Sequence, residues 1–192
     1  MKRLFVALIS LTLAACQEAP APQSFPPLNF SSQPKIKVAV MEIRVIENYK
    51  SPMIAPNVEQ NFPISPSTAI KQWVEGRMQA AGSSGILEIT INDASVIERP
   101  LPINQGIKGF FTNDQSERYD ASINVTFRLY DGVQTISVAE GNVQATKSIS
   151  IAENTSVAER KKMFYSMVQK IMTPFNREAE ARLNQYFSPY LR

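Results

Sequence analysis

The sequence predicts an α+β fold: a two-layer sandwich in which a four-stranded, mostly antiparallel sheet carries two helices on one face, in the order β-α-β-β-β-α. Three observations carry this. Along residues 119–130, Tyr119, Ala121, Ile123, Val125, Phe127 and Leu129 alternate with Asp120, Ser122, Asn124, Thr126 and Arg128, the period of a strand with one dry face and one wet face. Two other segments, near 66–81 and 157–187, place their apolar residues in a single helical stripe. A sheet wet on one side and helices with one stripe each are jointly satisfied when the helices cover only the dry side, rather than both sides as in a doubly wound fold.

The elements follow in order. Lys35–Glu47 reads as a strand: Ile36, Val38 and Val40 face one way, and Met41, Ile43 and Val45 take the other parity, the mark of a bulge or of burial on both faces. Residues 48–65, with Pro52, Pro56 and Pro63, read as a loop. Ser65-Pro66 opens a helix, serine as cap and proline in the first turn. Ile70, Trp73, Val74, Arg77, Met78 and Ala81 then lie at helical spacing and Gly82 ends the run. Trp73, the single tryptophan, reads as a core anchor on that stripe. Ile86–Arg99 is a second strand whose phase shifts near Asn92-Asp93. After residues 119–130, Asp131-Gly132 predicts a two-residue hairpin turn pairing Phe127 with Ile136 and Val125 with Val138. A bulge at Glu140-Gly141 would then pair Ala121 with Val143 and Tyr119 with Ala145. Ser156-Val157-Ala158-Glu159 is a capping box. The helix that follows is expected to kink or restart at Pro174, with Thr173 as the new cap.

Composition narrows the chemistry. The chain has 192 residues with one cysteine, no histidine and 13 prolines. Without histidine there are no Ser-His-Asp triads, no zincin motifs and few ways to build a zinc site. One cysteine forms no intramolecular disulfide. At 44% hydrophobic and 19% charged residues the chain can bury a core. The formal charge of +3 includes Lys2 and Arg3, and no basic cluster marks a nucleic-acid surface.

The N-terminus reads as an export signal. Lys2 and Arg3 precede the apolar run Leu4–Leu13, which is too short for the roughly 20 residues of a membrane span. The run ends in Leu13-Ala14-Ala15-Cys16. This resembles the lipobox of bacterial lipoproteins. The resemblance implies cleavage before Cys16, a covalent lipid on its sulfur as the one attached group, and no other cofactor. Gln17, where aspartate would imply retention at the inner membrane, implies the periplasmic face of the outer membrane. Residues 1–15 are thus expected to be removed. Residues 16–34, with five prolines, are expected to form a tether outside the fold, either a spacer or a leader of no selected length. Residues 35–192 are expected to form one domain.

A lipobox, a Pro-rich leader and this element order resemble the small auxiliary lipoproteins of Gram-negative envelopes. YajG-type lipoproteins and the partner lipoprotein of the lipopolysaccharide-assembly barrel are nearest in outline. The resemblance covers about Cys16 to Phe187 and implies a non-enzymatic adaptor or assembly factor with an envelope protein partner. Auxiliary lipoproteins of lipid transport are similar in outline too, and the other reading is a carrier of lipid or another apolar ligand, with a cavity between sheet and helices or under the Phe110-Phe111 loop.

No segment assembles an active site. Asp114, Glu117 and Asp120 lack the spacing of a calcium loop. Gly106-Ile107-Lys108-Gly109 is no phosphate loop. Catalytic and metal-ligating residues are therefore expected to be absent. Besides Cys16, the candidate contact residues are Ile107, Phe110 and Phe111, in the long connection 100–118, where the aromatics either meet a partner or lipid or fold back onto the core. The polar face headed by Ser122, Asn124, Thr126 and Arg128 is a second candidate surface, and a free edge strand could accept a partner strand.

Overall fold

The computed structural model describes residues 23–102, 115–133 and 136–192. Two layers form as the alternation requires, but the strand count differs. The main sheet has five strands, and a two-stranded parallel ladder lies beside it. Both phase changes seen in the sequence are breaks between strands. The first expected strand is β1 (Ile36–Val38) and β2 (Glu42–Glu47). Val40, fully buried between them, turns the chain out of one ladder and into another. The second is β4 (Ile86–Asp93) and β5 (Val96–Pro100). These two lie end to end along one side of β6 (Gln115–Tyr130). Between them, Ala94 is buried and Asp93 Oδ1 accepts from the Ser95 backbone N–H at 3.0 Å. β7 (Ala139–Ala152) pairs along the other side of β6, and β2 runs parallel to β4 at the opposite margin.

Helix α1 (Pro66–Arg77) starts where the sequence places it: Ser65 Oγ accepts from the Thr68 N–H at 3.2 Å. It ends four residues earlier than expected. Met78 is extended (ψ 146°) and begins β3 (Met78–Ala80), which pairs with β1. Gly82 is needed for room rather than as a stop, since a Cβ there would lie 2.5 Å from the Ala39 carbonyl carbon. Helix α2 (Val157–Tyr186) is capped by Ser156, as expected. It runs unbroken through Pro174. Ile171, Met172, Phe175 and Ala179 are buried on both sides of the proline, and Lys170, whose carbonyl loses its partner, is exposed.

The hairpin is also corrected. The connection spans 131–138 rather than two residues, and pairing is Phe127↔Gly141, Val125↔Val143 and Tyr119↔Ile149 with no shift at Glu140-Gly141. The odd-numbered residues of β7 face the helices throughout, so no bulge is required. Val133 and Ile136 are left 90% and 71% exposed.

The layers meet in a filled core. Trp73 has its ring centroid 5.2 Å from Phe175 and 6.2 Å from Phe127, both edge to face. Phe62 stacks on Phe164 at 4.1 Å, and Tyr119 meets Phe164 at 4.9 Å. A polar knot joins the helices. Asn176 Oδ1 accepts from Trp73 Nε1 (2.7 Å) and Arg77 Nε (3.2 Å), and the buried Arg77 also bonds Glu180 and the Pro34 carbonyl.

Pro34 brings in the expected tether, whose last ten residues are docked. Phe25 packs on Tyr165 at 5.4 Å, Tyr165 Oη donates to the Pro26 carbonyl at 3.0 Å, and Leu28 is buried with its N–H on Gln72 Oε1 at 2.9 Å. The prolines hold this stretch extended while its phenylalanines and leucine find apolar ground on the helices. The domain therefore gains residues 25–34.

Since β2, β4 and β7 run one way and both helices return the other way, the molecule has two distinct ends. At one, the loop end, lie residues 48–65, the start of β6 and both helix N-termini. At the other, the hairpin end, lie residues 131–138 and the end of α2.

Candidate functional site

Cys16, Ile107, Phe110 and Phe111 lie outside the described residues. Among the described residues the arrangement best suited to meet another molecule is β7. Its inward residues include Gly141, Val143, Ala145 and Ile151, all buried. Its outward residues from Asn142 to Ser150 are Asn142, Gln144, Thr146, Ser148 and Ser150, all exposed and uncharged. Among the described residues β7 pairs only with β6. Its outer margin therefore presents a row of backbone N–H and C=O groups along 14 residues with no proline among them, in unshifted register from Ala139 to Ile151; the irregularity in this ladder falls in β6, between Gln115 and Glu117.

α2 frames this margin. A cleft of about 510 Å³ opens between them, lined by Glu140, Gly141, Asn142, Gln144, Glu178, Arg182 and Tyr186. Gly141 permits the close approach, since a Cβ there would lie 3.3 Å from Phe187 and 3.6 Å from Arg182 Cβ. Arg182 pairs with Glu178 at 2.8 Å through Nη2, and its Nε is buried without a hydrogen-bond partner among the described residues. The side chain is otherwise part-exposed at the cleft, where its guanidinium could donate to an incoming acceptor.

The wet face of the sheet is already hydrogen-bonded to itself. Asn92 and Asn142 both donate to Asn124 Oδ1 (3.2 and 2.7 Å) and to Thr126 Oγ1 (2.8 and 3.0 Å), tying β4, β6 and β7 together. Arg128 pairs with Glu140 at 3.0 Å, and Asp120 holds Arg118 and accepts from Ser148. The Ser148 hydroxyl, first among the causes, holds the Asp120 carboxyl below the usual range.

The loop end carries two acid clusters; the sequence names Glu117, within a set that lacks calcium-loop spacing, and does not single out Glu59. Glu59, 4% exposed, accepts from Tyr49 Oη at 2.5 Å and from the Val96 N–H at 3.1 Å. Burial pushes its carboxyl up, but these bonds outweigh it and hold the group below the usual carboxylate range. Burial and Glu59 push the Tyr49 phenol up. Glu117 accepts from Arg160 and from Tyr119 Oη at 2.7 Å. Burial opposes its ionisation, and Arg160 with Tyr119 overcomes that. Each acid is matched by donors, so these clusters pin the loops rather than hold a free base. Among the described residues no group of three His, Cys, Asp or Glu could hold a metal, and no helix is long and apolar enough to cross a membrane.

No family model matches the chain, and no curated protein sequence does. Among solved structures, it is similar to rare lipoprotein B of Shewanella oneidensis at 12% identity, covering 75% of this chain and 98% of that one with a TM-score of 0.35. A minor lipoprotein of Acinetobacter baumannii is similar at 9% identity over 76% of this chain and 94% of that one, TM-score 0.36. Lipoprotein B of Nitrosomonas europaea is similar at 14% identity over 78% and 90%, TM-score 0.38. At these values the likeness is one of partial outline, and the site is read from its own residues.

Proposed function

We propose that the chain is a lipid-anchored protein of the bacterial envelope, held through Cys16 at the periplasmic face of the outer membrane. There it acts without catalysis as an adaptor that takes a strand of a protein partner along β7. The anchor reading rests on Leu13-Ala14-Ala15-Cys16. The adaptor reading rests on one observation: 14 residues of edge strand whose outer margin no described strand covers. A partner strand there would extend the sheet, with main-chain bonds giving affinity and Arg182 offering a donor beside it.

The carrier reading is the weaker. Of its two expected cavities, the one between the layers is filled, since the fully buried Trp73, Phe127 and Phe175 stand ring against ring there; the one under Phe110 and Phe111 lies outside the described residues.

Photo-crosslinking tests the adaptor reading in growing cells. A benzophenone side chain at Gln144, Thr146 or Ser148 should give one adduct of defined mass, and the same probe at Arg44 on β2 should not. Equal adducts at both margins, or none at β7, would remove β7 as the docking strand. Replacing Cys16 by Ser should release the protein from membranes, and unchanged fractionation would sink the anchor.

A further inference from the structure

The loop between β2 and α1 is fastened at both sides and raised in the middle. On one side Val58 donates to the Val96 carbonyl (3.0 Å) and Glu98 donates to the Pro56 carbonyl (2.9 Å). Tyr49, Asn57 and Glu59 are joined by hydrogen bonds beneath it. At the crest the Met53 N–H is held by Ser51 Oγ at 3.2 Å, and Asn57 donates to the Ile54 carbonyl at 3.0 Å. Met53 has φ of +61°, in the left-handed region that disfavours a residue with a Cβ. Although the crest is this well fixed, Met53 and Ile54 stand 63% and 69% exposed. A rigid knuckle that spends backbone strain to hold two large apolar side chains in water is built to meet an apolar phase.

The docked leader says which phase that is. Phe25 sits on Tyr165, two turns into α2. From there to Val157 at the loop end is about 12 Å along the helix, and to Tyr186 about 32 Å the other way. Cys16 precedes Phe25 by nine residues, which span at most about 32 Å even when fully extended. The lipid on Cys16 can therefore reach well past the loop end. Toward the hairpin end the leader is fully extended by the level of Tyr186, with no slack left. A relaxed leader therefore favours the loop end, and with it Met53 and Ile54 over the exposed Val133 and Ile136, at the anchoring membrane.

We infer that Met53 and Ile54 form a wedge that inserts into the same lipid surface as the Cys16 anchor, so that the domain stands on its loop end with β7 upright from the membrane. This rests on the lipid-anchor reading and is independent of the β7 partner.

Lipidated full-length protein on vesicles of phosphatidylethanolamine and phosphatidylglycerol tests it. The variants Met53→Cys, Ile54→Cys and Ile136→Cys each carry one free thiol for an environment-sensitive fluorophore, and brominated lipids serve as quencher. Quenching should be several-fold stronger at 53 and 54 than at 136. Equal quenching at all three positions, or none at 53 and 54 on vesicle-bound protein, overturns the wedge. Flotation of Cys16→Ser reads the anchor separately. If that variant still floats and is quenched at 53, the anchor reading fails and the wedge stands. If it stays in solution while the lipidated protein is quenched at 53, both stand.

Discussion

The two margins of the main sheet are built to opposite rules. β2 is six residues long and carries Glu42, Arg44 and Glu47. Arg44 pairs with Glu42 at 2.9 Å, and Glu47 is taken by Lys71 at 2.7 Å. A short, charged, self-paired strand is how native sheets discourage further pairing. β7 is 14 residues long, and its outward row from Asn142 to Ser150 carries no charge. The inward faces differ in depth, with Ile43 and Val45 of β2 half-buried and Val143, Ala145 and Ile151 of β7 buried, but that does not dictate the outward residues. The outward residues are free to vary, and the contrast supports the proposal that a partner chain would meet β7 rather than β2.

The comparison can be broken in several ways. The largest effect is expected from proline. In β6, paired on both sides, proline at Asn124 or Val125 removes a ladder bond either way and should destabilise by about 2 kcal/mol or more. In β7, Gln144→Pro and Ala145→Pro should differ, because only one of two successive N–H groups points at β6. Urea unfolding that finds both β7 variants equally damaged would mean that the outer margin is not free. Next is the α2 frame. Gly141→Val places side-chain atoms against Phe187 and Arg182 and should cost about 1–3 kcal/mol, together with loss of the crosslink at Gln144. A charge on the outer row, Thr146→Lys, should leave stability within about 0.5 kcal/mol while abolishing the adduct. If binding survives it, the outward row is not what a partner reads.

The smallest effect is a pH dependence at the loop end. Glu117 and Glu59 have carboxyls held below their ordinary values. Their contribution is present above the unfolded carboxylate pKa of about 4.3 and is lost as pH falls through the lower folded values. Acid unfolding should therefore steepen below about pH 4, and Glu117→Gln should flatten that limb. The Arg128–Glu140 pair beside β7 is solvent-exposed and should contribute almost nothing. An equal effect from Glu140→Gln would show that the two ends are not electrostatically distinct.

Much of this was legible in residue order. The alternation 119–130 gave β6 its faces, and Ser65 and Ser156 gave both helix starts. The parity slips at 39–41 and 93–95 were visible, but a slip does not say whether a strand bulges or stops; that depends on Val40 and Ala94 finding core space. The hairpin was misread because Asp131-Gly132 is a strong local signal, whereas the register is set by Gly141 under Phe187, a contact distant in sequence. The leader was read as outside the fold because proline content reports backbone stiffness and not where Phe25 and Leu28 can pack. Arg77 falls on the apolar stripe of its helix in the sequence, but its partners Pro34 and Glu180 are distant in the chain and could not be read from that spacing. The β7 margin could not be chosen from sequence, because being last in a sheet is a property of strand order.

The contact of Arg77 with the Pro34 carbonyl has a mechanical consequence. With the chain anchored through Cys16 as proposed, tension enters along the docked leader, is met first by Phe25 on Tyr165 and Leu28 on Gln72, and arrives last at the knot of Arg77, Asn176 and Glu180 between the helices. Load is shared there between two helices before it reaches β1, so the leader acts as a strain relief, as a clamp does on a cable. Pulling on a single molecule through residue 16 should show an early yield as the leader peels away, at lower force in Arg77→Met, with the sheet still folded behind it. A single rupture at unchanged force would mean that the clamp carries no load.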